Sequence, residues 1–371
     1  MEDIASHERE KKVKRWTAAR HFEESDRVPV LINVGAPFYC QVLGYNLKDF
    51  YRNLELNLKI QLDGSKWAYK YLGDDRISYV KSRKQLFPNI GSVGEGIVWD
   101  CQISLPTEDE PWLAPWIIPK FAAPEKIEKL EIPDPKECVN RLHKHYETTF
   151  GVDLQADFPP GIHPPCSAAG SLVGTDKLYI YLYRYPNLMH KLFKKLLKSF
   201  FILRDYTDEV RGTTTSTIGL SDDHAGYLSE DMYRRFVLPY NRQIYEKYGE
   251  EKRSLHMDSP TEHIANIIRD EYKIDELDLG WQADIIQVKK VLDGEVFFNG
   301  NMPSRILAAG TYQQIREAVS HCIYAAASGG GYFFDIGGET YAGIDVTRLR
   351  YAIDYAKKIG RYPLRGTASH G

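Results

Sequence analysis

Thr215-Ser-Thr-Ile-Gly-Leu-Ser-Asp-Asp-His224 and Arg253-Ser-Leu-His-Met-Asp258 decide how this chain is read. Each is a short run of strand-forming residues that stops abruptly in polar, chemically capable side chains. The same punctuation recurs downstream: Glu276-Leu-Asp-Leu279 ends at Gly280, Glu295-Val-Phe-Phe298 runs into Asn299-Gly-Asn301, and Gly331-Tyr-Phe-Phe334 runs into Asp335-Ile-Gly-Gly-Glu339. Upstream, Val28-Pro-Val-Leu-Ile-Asn33 has this form too. Arg76-Ile-Ser-Tyr-Val80 and Val152-Asp-Leu-Gln-Ala156 supply a second and third run, making eight. Between the later runs, apolar residues recur at helical spacing over residues 231–247, 260–271, 283–292 and 311–327, and 346–359 close the chain. Short buried strands alternating with amphipathic helices imply parallel βαβ units. Eight of them predict an α/β fold of the (β/α)8 TIM-barrel class.

Outward from that frame, residues 8–22 place Val13, Trp16, Ala19 and Phe22 on one helical face. This predicts an N-terminal helical extension within residues 1–25, laid over one end of the fold and stopped by Ser25-Asp26 and Pro29. Residues 91–135 interrupt the alternation after the second strand and are rich in Pro and Trp, from Pro106 through Trp112 and Trp116 to Pro124. They read as an insertion: a hairpin, a lid or a packed surface excursion. All of residues 1–371 reads as a single domain. No GxGxxG follows a strand and no GxxxxGK[ST] occurs, which argues against an open nucleotide-binding sheet.

The 371 residues are 43% apolar and 27% charged, enough to bury a large core. Lys and Arg number 48 against 51 Asp and Glu, so the chain lacks the basic field that attracts nucleic acid. No stretch approaches the ~18 apolar residues of a membrane span, and the charged opening has no signal-peptide character. The expectation is a cytoplasmic protein with neither nucleic-acid nor membrane partners, its oligomeric state left open to a homo-oligomer. Five cysteines, Cys40, Cys101, Cys138, Cys166 and Cys322, stand singly without CxxC, as reduced thiols rather than a disulfide framework or a thiolate zinc cage.

In a (β/α)8 barrel the catalytic groups come from the C-terminal strand ends. Here those ends carry Asn33, Asp222, Asp223, His224, His256, Asp258, Gln282, Asn301, Asp335 and Glu339. Such a mouth suits proton transfer on a small-molecule substrate, or a metal. His256 and Asp258, two apart at a strand end, point to one side and are spaced to share one zinc, with His224, Asp223 or Glu339 completing three ligands. The pair serves equally as a hydrogen-bonded couple that orients substrate or stabilises the mouth. Asp222 and Asp223 either cap the next helix or repel across a cavity, which raises one of them toward general-acid range. Tyr39, Tyr227, Tyr332 and Tyr341 lie near strand ends as rim packing or ligand lining. Asn33, Tyr39, His224, Gln282, Asn301 and Glu339 are the candidate substrate contacts.

The order of His256-Met-Asp258, Gly300-Asn-Met-Pro303, Leu307-Ala-Ala-Gly-Thr311, residues 329–334 and Ala356-Lys-Lys-Ile-Gly-Arg-Tyr-Pro363 is itself informative. With Asp26-Arg-Val-Pro-Val30 and Ser171-Leu-Val-Gly174, it resembles the uroporphyrinogen decarboxylase superfamily. That superfamily includes the methylcobamide:coenzyme M methyltransferases and related corrinoid-dependent O-demethylating methyltransferases. The resemblance implies a barrel, zinc at the mouth and, in the methyltransferase branch, a corrinoid protein as partner. The decarboxylases carry paired arginines after the first strand and an aspartate beyond the second. Val34-Gly-Ala-Pro-Phe-Tyr-Cys-Gln-Val-Leu-Gly44 holds no arginine and Ile77-Ser-Tyr-Val-Lys81 no aspartate, which disfavours uroporphyrinogen as substrate. The coenzyme M enzymes bind zinc through His-x-Cys and a later Cys. His256 matches, Asp258 replaces the first Cys, and Ile336-Gly-Gly338 lacks the second. What the resemblance then implies is a harder His/carboxylate site, His256 with Asp258 and Glu339, suited to polarising an oxygen. The expected activity is transfer of a methyl group from a small methoxylated or methylated substrate to a corrinoid protein, with His256, Asp258, Asp222 and Asp223 catalytic. The alternatives are a lyase decarboxylating another carboxylated substrate, or a non-catalytic relative.

Overall fold

The computed structural model describes residues 2–364. Its main sheet has five strands in the order β3 (Thr217–Ser221), β4 (Lys252–Met257), β5 (Glu276–Leu279), β6 (Phe297–Pro303) and β7 (Tyr332–Gly337). These are the five later runs of the sequence. β5, β6 and β7 pair in parallel, with Asp278 opposite Asn299 and Asn301 opposite Asp335. Every residue of β7 is buried, which is why Tyr332, Phe333 and Phe334 follow one another without polar alternation before Asp335. Helices follow each strand and begin on side-chain caps where the sequence provides them. Thr311 and Gln314 form a capping box before Tyr312–Ala326, Asp284 caps Ile285–Leu292, and Asp345 caps Val346–Ile359.

Two expected helices differ. Residues 231–247 break into Glu230–Phe236 and Leu238–Tyr248, because Pro239 lacks the N–H needed to continue one helix into the next. Residues 260–271 form a 3-10 turn, Glu262–Ile264, and a π-helical segment, Ile267–Tyr272, that stops at Lys273 in the left-handed conformation.

Three expected strands are absent as regular strands, and in each case side chains have taken the backbone's partners. Residues 28–33 run parallel to β7 through one bridge, Val30 to Phe334. On their other side the Val30 N–H donates to Asp75 Oδ2 (2.8 Å) and the Ile32 N–H to Asp74 Oδ2 (3.1 Å). Carboxylates stand where ladder carbonyls would be on that side of residues 28–33, and in residues 76–80 the Val80 N–H goes to the Ser65 hydroxyl (2.9 Å). At residues 152–156 the His143 ring reaches the Ala156 N–H (2.6 Å) and holds that segment as a loop.

The chain divides into two compact units. The first comprises Met1–Tyr45, Leu58–Phe87 and His256–Gly371, and the second Asn46–Asn57 and Pro88–Leu255. In the first, the N-terminal helix Glu2–Arg20 covers the start of the strands, as its sequence face predicts. Trp16, Ala19 and Phe22 pack with Phe297 and Phe333, and the Arg20 guanidinium lies over both of those rings while pairing with Glu276 at 2.8 Å. In the second, the residue 91–135 insertion is a packed excursion that contains a two-residue antiparallel hairpin, β1 (Ile103–Ser104) with β2 (Trp116–Ile117). Ile103 and Ile117 sit on a core of Val93, Ile97, Leu142, Tyr146 and Phe150. Among the described residues, no helix is long and apolar enough to cross a membrane.

Asp75 ties the first unit together. It is fully buried, accepts a bidentate pair from Arg27 at 2.6 and 2.7 Å, and receives Arg15 at 3.2 Å. Burial works against its charge, but the hydrogen bonds and charge of Arg27 outweigh that and hold its carboxyl below the ordinary aspartate value. A lowered folded-state value contributes stability that is present above the unfolded value of ~3.9 and lost as pH falls through the folded one. Asp75→Asn leaves two arginines without their shared counter-charge and is expected to cost about 3–5 kcal/mol in urea unfolding at pH 7. That deficit should shrink as the pH of the titration falls below 4.

Candidate functional site

In the first unit the polar strand ends form one connected row. His256, near the end of β4, presents Nδ1 to Asp278 Oδ2 on β5 at 2.7 Å. The other Asp278 oxygen accepts the Asn299 amide on β6 at 2.6 Å, and that amide also lies 3.5 Å from Asp335 Oδ2 on β7. Asp335 Oδ1 accepts the N–H groups of Asn33 (2.9 Å) and Ile336 (2.7 Å). Because Asp278 occupies Nδ1, the nitrogen turned to the mouth is Nε2, and it stands 3.7 Å from Asp258 Oδ2. Burial disfavours an imidazolium here. Hydrogen bonds and charges from Asp258 and Asp278 reverse that and push His256 up to about 11.

Two glycines shape the backbone around Asp258, one by close approach and one by a left-handed turn. A Cβ on Gly280 would lie 2.3 Å from Asp258 Cα, so only a bare backbone lets the end of β5 pass so close. Gly338, with φ of +102°, brings the loop carrying Glu339 past the same carboxylate; a Cβ there would stand 3.6 Å from its oxygens. Glu339 itself is exposed, as are Asn33 and Gln282. Tyr39 is half-buried on the helix Ala36–Leu43, its phenol pushed up by burial and countered by Arg76. Asn301 is placed differently. Its amide donates to the carbonyls of Gly280 (3.1 Å) and Ala283 (2.9 Å), and it lines a surface cavity of about 450 Å³ with Trp281, His321 and Cys322. Tyr332 is wholly buried with its hydroxyl on the Gly300 carbonyl, while Tyr227 and Tyr341 are exposed.

In the second unit, β3 runs directly into Asp222, which is fully buried. Its Oδ1 accepts the backbone N–H (3.1 Å) and hydroxyl (2.7 Å) of Ser167 at the start of the helix Pro165–Val173, and its Oδ2 accepts the Asn241 amide (2.7 Å). Burial is the main cause that raises Asp222 to about 6. The adjacent Asp223, the cause expected from sequence, contributes less. Both Asp222 oxygens are engaged by Ser167 and Asn241, and Asp223 is the half-buried neighbour. His224 lies 3.1 Å from Thr175 Oγ1 through Nε2, against Gly170, where a Cβ would come within 2.5 Å of its ring.

Sequence reasoning missed Asp278 and Asn299, which sit within strand runs rather than at their ends. The available signal was a polar residue interrupting each run, Asp278 in Glu-Leu-Asp-Leu and Asn299 directly after Phe-Phe. Asp335 was visible as a strand end, but its isolation was not. It is buried with no cation beside it among the described residues, and burial and the charge of Asp278 raise it well above the ordinary carboxylate range.

Comparison with known proteins gives a consistent picture. The family model described as uroporphyrinogen decarboxylase (URO-D) matches residues 96–359. The uroporphyrinogen decarboxylase of Chlorobium phaeobacteroides is 27% identical over 188 residues, covering 48% of this chain and 51% of that protein. The one from Hamiltonella defensa is 25% identical over 260 residues, covering 66% and 71%. The chain spans about half the length of most of the curated relatives it matches. Among solved structures, a methyltransferase from Methanosarcina mazei superposes with a TM-score of 0.61 over 93% of this chain and 97% of that one, at 16% identity. This likeness places the fold in the (β/α)8 class read from the sequence.

If Asp278 holds the His256 proton, Asp278→Asn should lower the midpoint of the His256 imidazole from about 11 in NMR titrations of chelator-treated protein. A folded-state value raised above ~6.5 stabilises the fold below that pH and loses the contribution as pH climbs toward the folded midpoint. The variant should therefore unfold at lower temperature than wild type at pH 6, with the gap narrowing in alkaline buffer.

Proposed function

The chain belongs to the uroporphyrinogen decarboxylase (URO-D) family, and on that premise we propose that it is a methyltransferase. It takes a methyl group from a small methoxylated or methylated substrate and passes it to a corrinoid carried by a partner protein. The observation that carries this reading is the Asp278-oriented His256 with Nε2 beside Asp258, a nitrogen and a carboxylate at one strand end with no thiol between them. Removing a methyl group from an ether leaves an electron pair on oxygen, which is a poor leaving group unless its charge is neutralised.

His256 and Asp258 offer one nitrogen and one carboxylate donor within 4.8 Å of each other, a pair compatible with zinc. A metal-ligating imidazole commonly donates its other N–H to a carboxylate, which is the role Asp278 is placed to play. His256 through Nε2, Asp258 through its carboxylate and Glu339 from the Gly338 loop are the proposed ligands. When bound, the ion would supply Lewis-acid polarisation of the substrate oxygen, and an N/O ligand set makes it a harder acid than thiolates would. Asp222 fixes the polar end of the second unit, and Asp223 is its proposed catalytic carboxylate. Asn33, Tyr39, His224 and Gln282 are proposed to contact substrate.

A decarboxylase acting on another carboxylated substrate is the second reading, favoured by the names of the curated relatives. A carboxylated substrate calls for a cation in the site. Arg76, which faces Tyr39, is already spent on Asp74 at 2.7 and 2.8 Å and on the Ile32 carbonyl at 2.9 Å. This weakens the second reading.

Elemental analysis followed by incubation with a Co(I) corrinoid and a panel of methyl donors separates the two readings. The methyltransferase consumes donor only with corrinoid present, whereas a decarboxylase releases carbon dioxide without it. Activity should fall on dialysis against a chelator and return with zinc. His256→Ala should abolish turnover while the protein still folds; because it gives up the same Asp278 pairing, its melting temperature at pH 6 should fall by an amount comparable to that of Asp278→Asn. Thiol alkylation should leave the enzyme active. Cys40, Cys138, Cys166 and Cys322 are buried, and burial pushes Cys101 and Cys138 up to about 11 and Cys322 up to about 12. Inactivation by alkylation, with protection by substrate, would overturn the assignment.

A further inference from the structure

The second unit holds an imidazole that no strand-end pattern singles out. His163 precedes the helix Pro165–Val173 and is anchored twice by one carboxylate oxygen. Glu95 Oε1, on the helix Gly94–Val98, accepts the His163 backbone N–H and also its Nδ1–H at 2.7 Å. Glu95 is fully buried, while the His163 side chain is 30% exposed. A carboxylate on Nδ1 fixes the ring orientation and leaves Nε2 as the outward nitrogen, and Nε2 has no hydrogen-bond partner among the described residues.

Three further facts distinguish this pair from an ordinary ion pair. The second Glu95 oxygen, Oε2, is buried with no hydrogen-bond partner among the described residues, a costly arrangement for a pair that served stability alone. The charges of Asp222 and Asp223 reach the ring from the end of β3. His224, the other imidazole at this end, is committed to Thr175 and packed on Gly170. Burial disfavours a charged His163, but Glu95 and then the two aspartates outweigh it and hold the ring above the ordinary histidine value. An imidazole oriented by a buried carboxylate, with an open Nε2 and its charged form favoured, has the form of a general acid.

We propose that His163, oriented by Glu95, is the proton donor for the oxygen that loses its methyl group, with Glu95 as its positioning residue. This rests on the demethylation reading. The bond between oxygen and the methyl carbon breaks with its electron pair left on oxygen. The methyl group passes to the Co(I) corrinoid, whose own electron pair makes the new bond. The Nε2 proton of the imidazolium neutralises the oxygen, giving an alcohol or phenol and a neutral His163.

The test uses the full chain, free cob(I)alamin as acceptor, and methyl ethers of phenols of graded acidity. Loss of a general acid hurts poor leaving groups most. His163→Gln should slow the ether of the least acidic phenol by about 10²–10⁴-fold and that of a nitrophenol far less, steepening the dependence on leaving-group acidity. Glu95→Gln should steepen it in the same sense and lower the NMR titration midpoint of His163. A uniform loss across all ethers in His163→Gln, with turnover intact in wild type, overturns the His163 assignment alone. An unmoved His163 titration in Glu95→Gln overturns the positioning role. Failure of wild type to demethylate any ether overturns the demethylation reading, and this proposal with it.

Discussion

The polar end of the first unit depends on how one carboxylate divides its two oxygens. Asp278 gives one to His256 Nδ1 and the other to the Asn299 amide. The first bond decides which imidazole nitrogen faces the mouth; the second ties β5 to β6 at the rung where Asp278 and Asn299 are opposed. Through Asn299 and Asp335 the same chain of contacts reaches the Asn33 N–H. A slip of one residue between β5 and β6 would turn Asp278 to the other face and disorient His256. The register of a parallel sheet thereby becomes a statement about chemistry.

Aspartates in this one unit meet opposite fates according to what surrounds them. Asp75, clamped by Arg27 and Arg15, is held ionised and binds the N-terminal helix to the segment beside β7. Asp335, equally hidden but without a cation among the described residues, is driven toward its neutral form by burial and the charge of Asp278. Compensated charge lies where the fold must be held, and uncompensated carboxyl groups gather where strands end. That division is the usual mark of a site whose polar groups are kept for chemistry at some expense of stability. Glu95 and Asp222 repeat the contrast in the second unit: against its burial, the His163 imidazole holds Glu95 below the ordinary glutamate value, whereas burial among the neutral Ser167 and Asn241 raises Asp222 to about 6.

The five later strands were legible because each is an apolar run closed by a polar terminus, and in β6 and β7 burial on both faces lengthens that run. The earlier ones misled for a physical reason. Val28-Pro-Val-Leu-Ile has strand composition, but the Val30 and Ile32 N–H groups find Asp75 and Asp74 instead of a neighbouring backbone. Side chains recruited from some 40 positions away leave no local trace. Pro239 and the π-helical segment at Ile267–Tyr272 likewise show periodicity locating helical residues without giving their boundaries.

By itself, the sequence determined the fold class, the helix laid on Phe297 and Phe333, and the polar inventory that includes His256 and Asp258, because hydrophobic period and strand termini are local properties. The tertiary structure alone decided that Asp278 orients His256, that the Asn301 amide serves two backbone carbonyls, and that Glu95 holds His163. Those outcomes are set by hydrogen bonds between residues 18 to 68 positions apart, and a buried polar group's partner is chosen by the geometry of the packed chain, not by its neighbours in sequence.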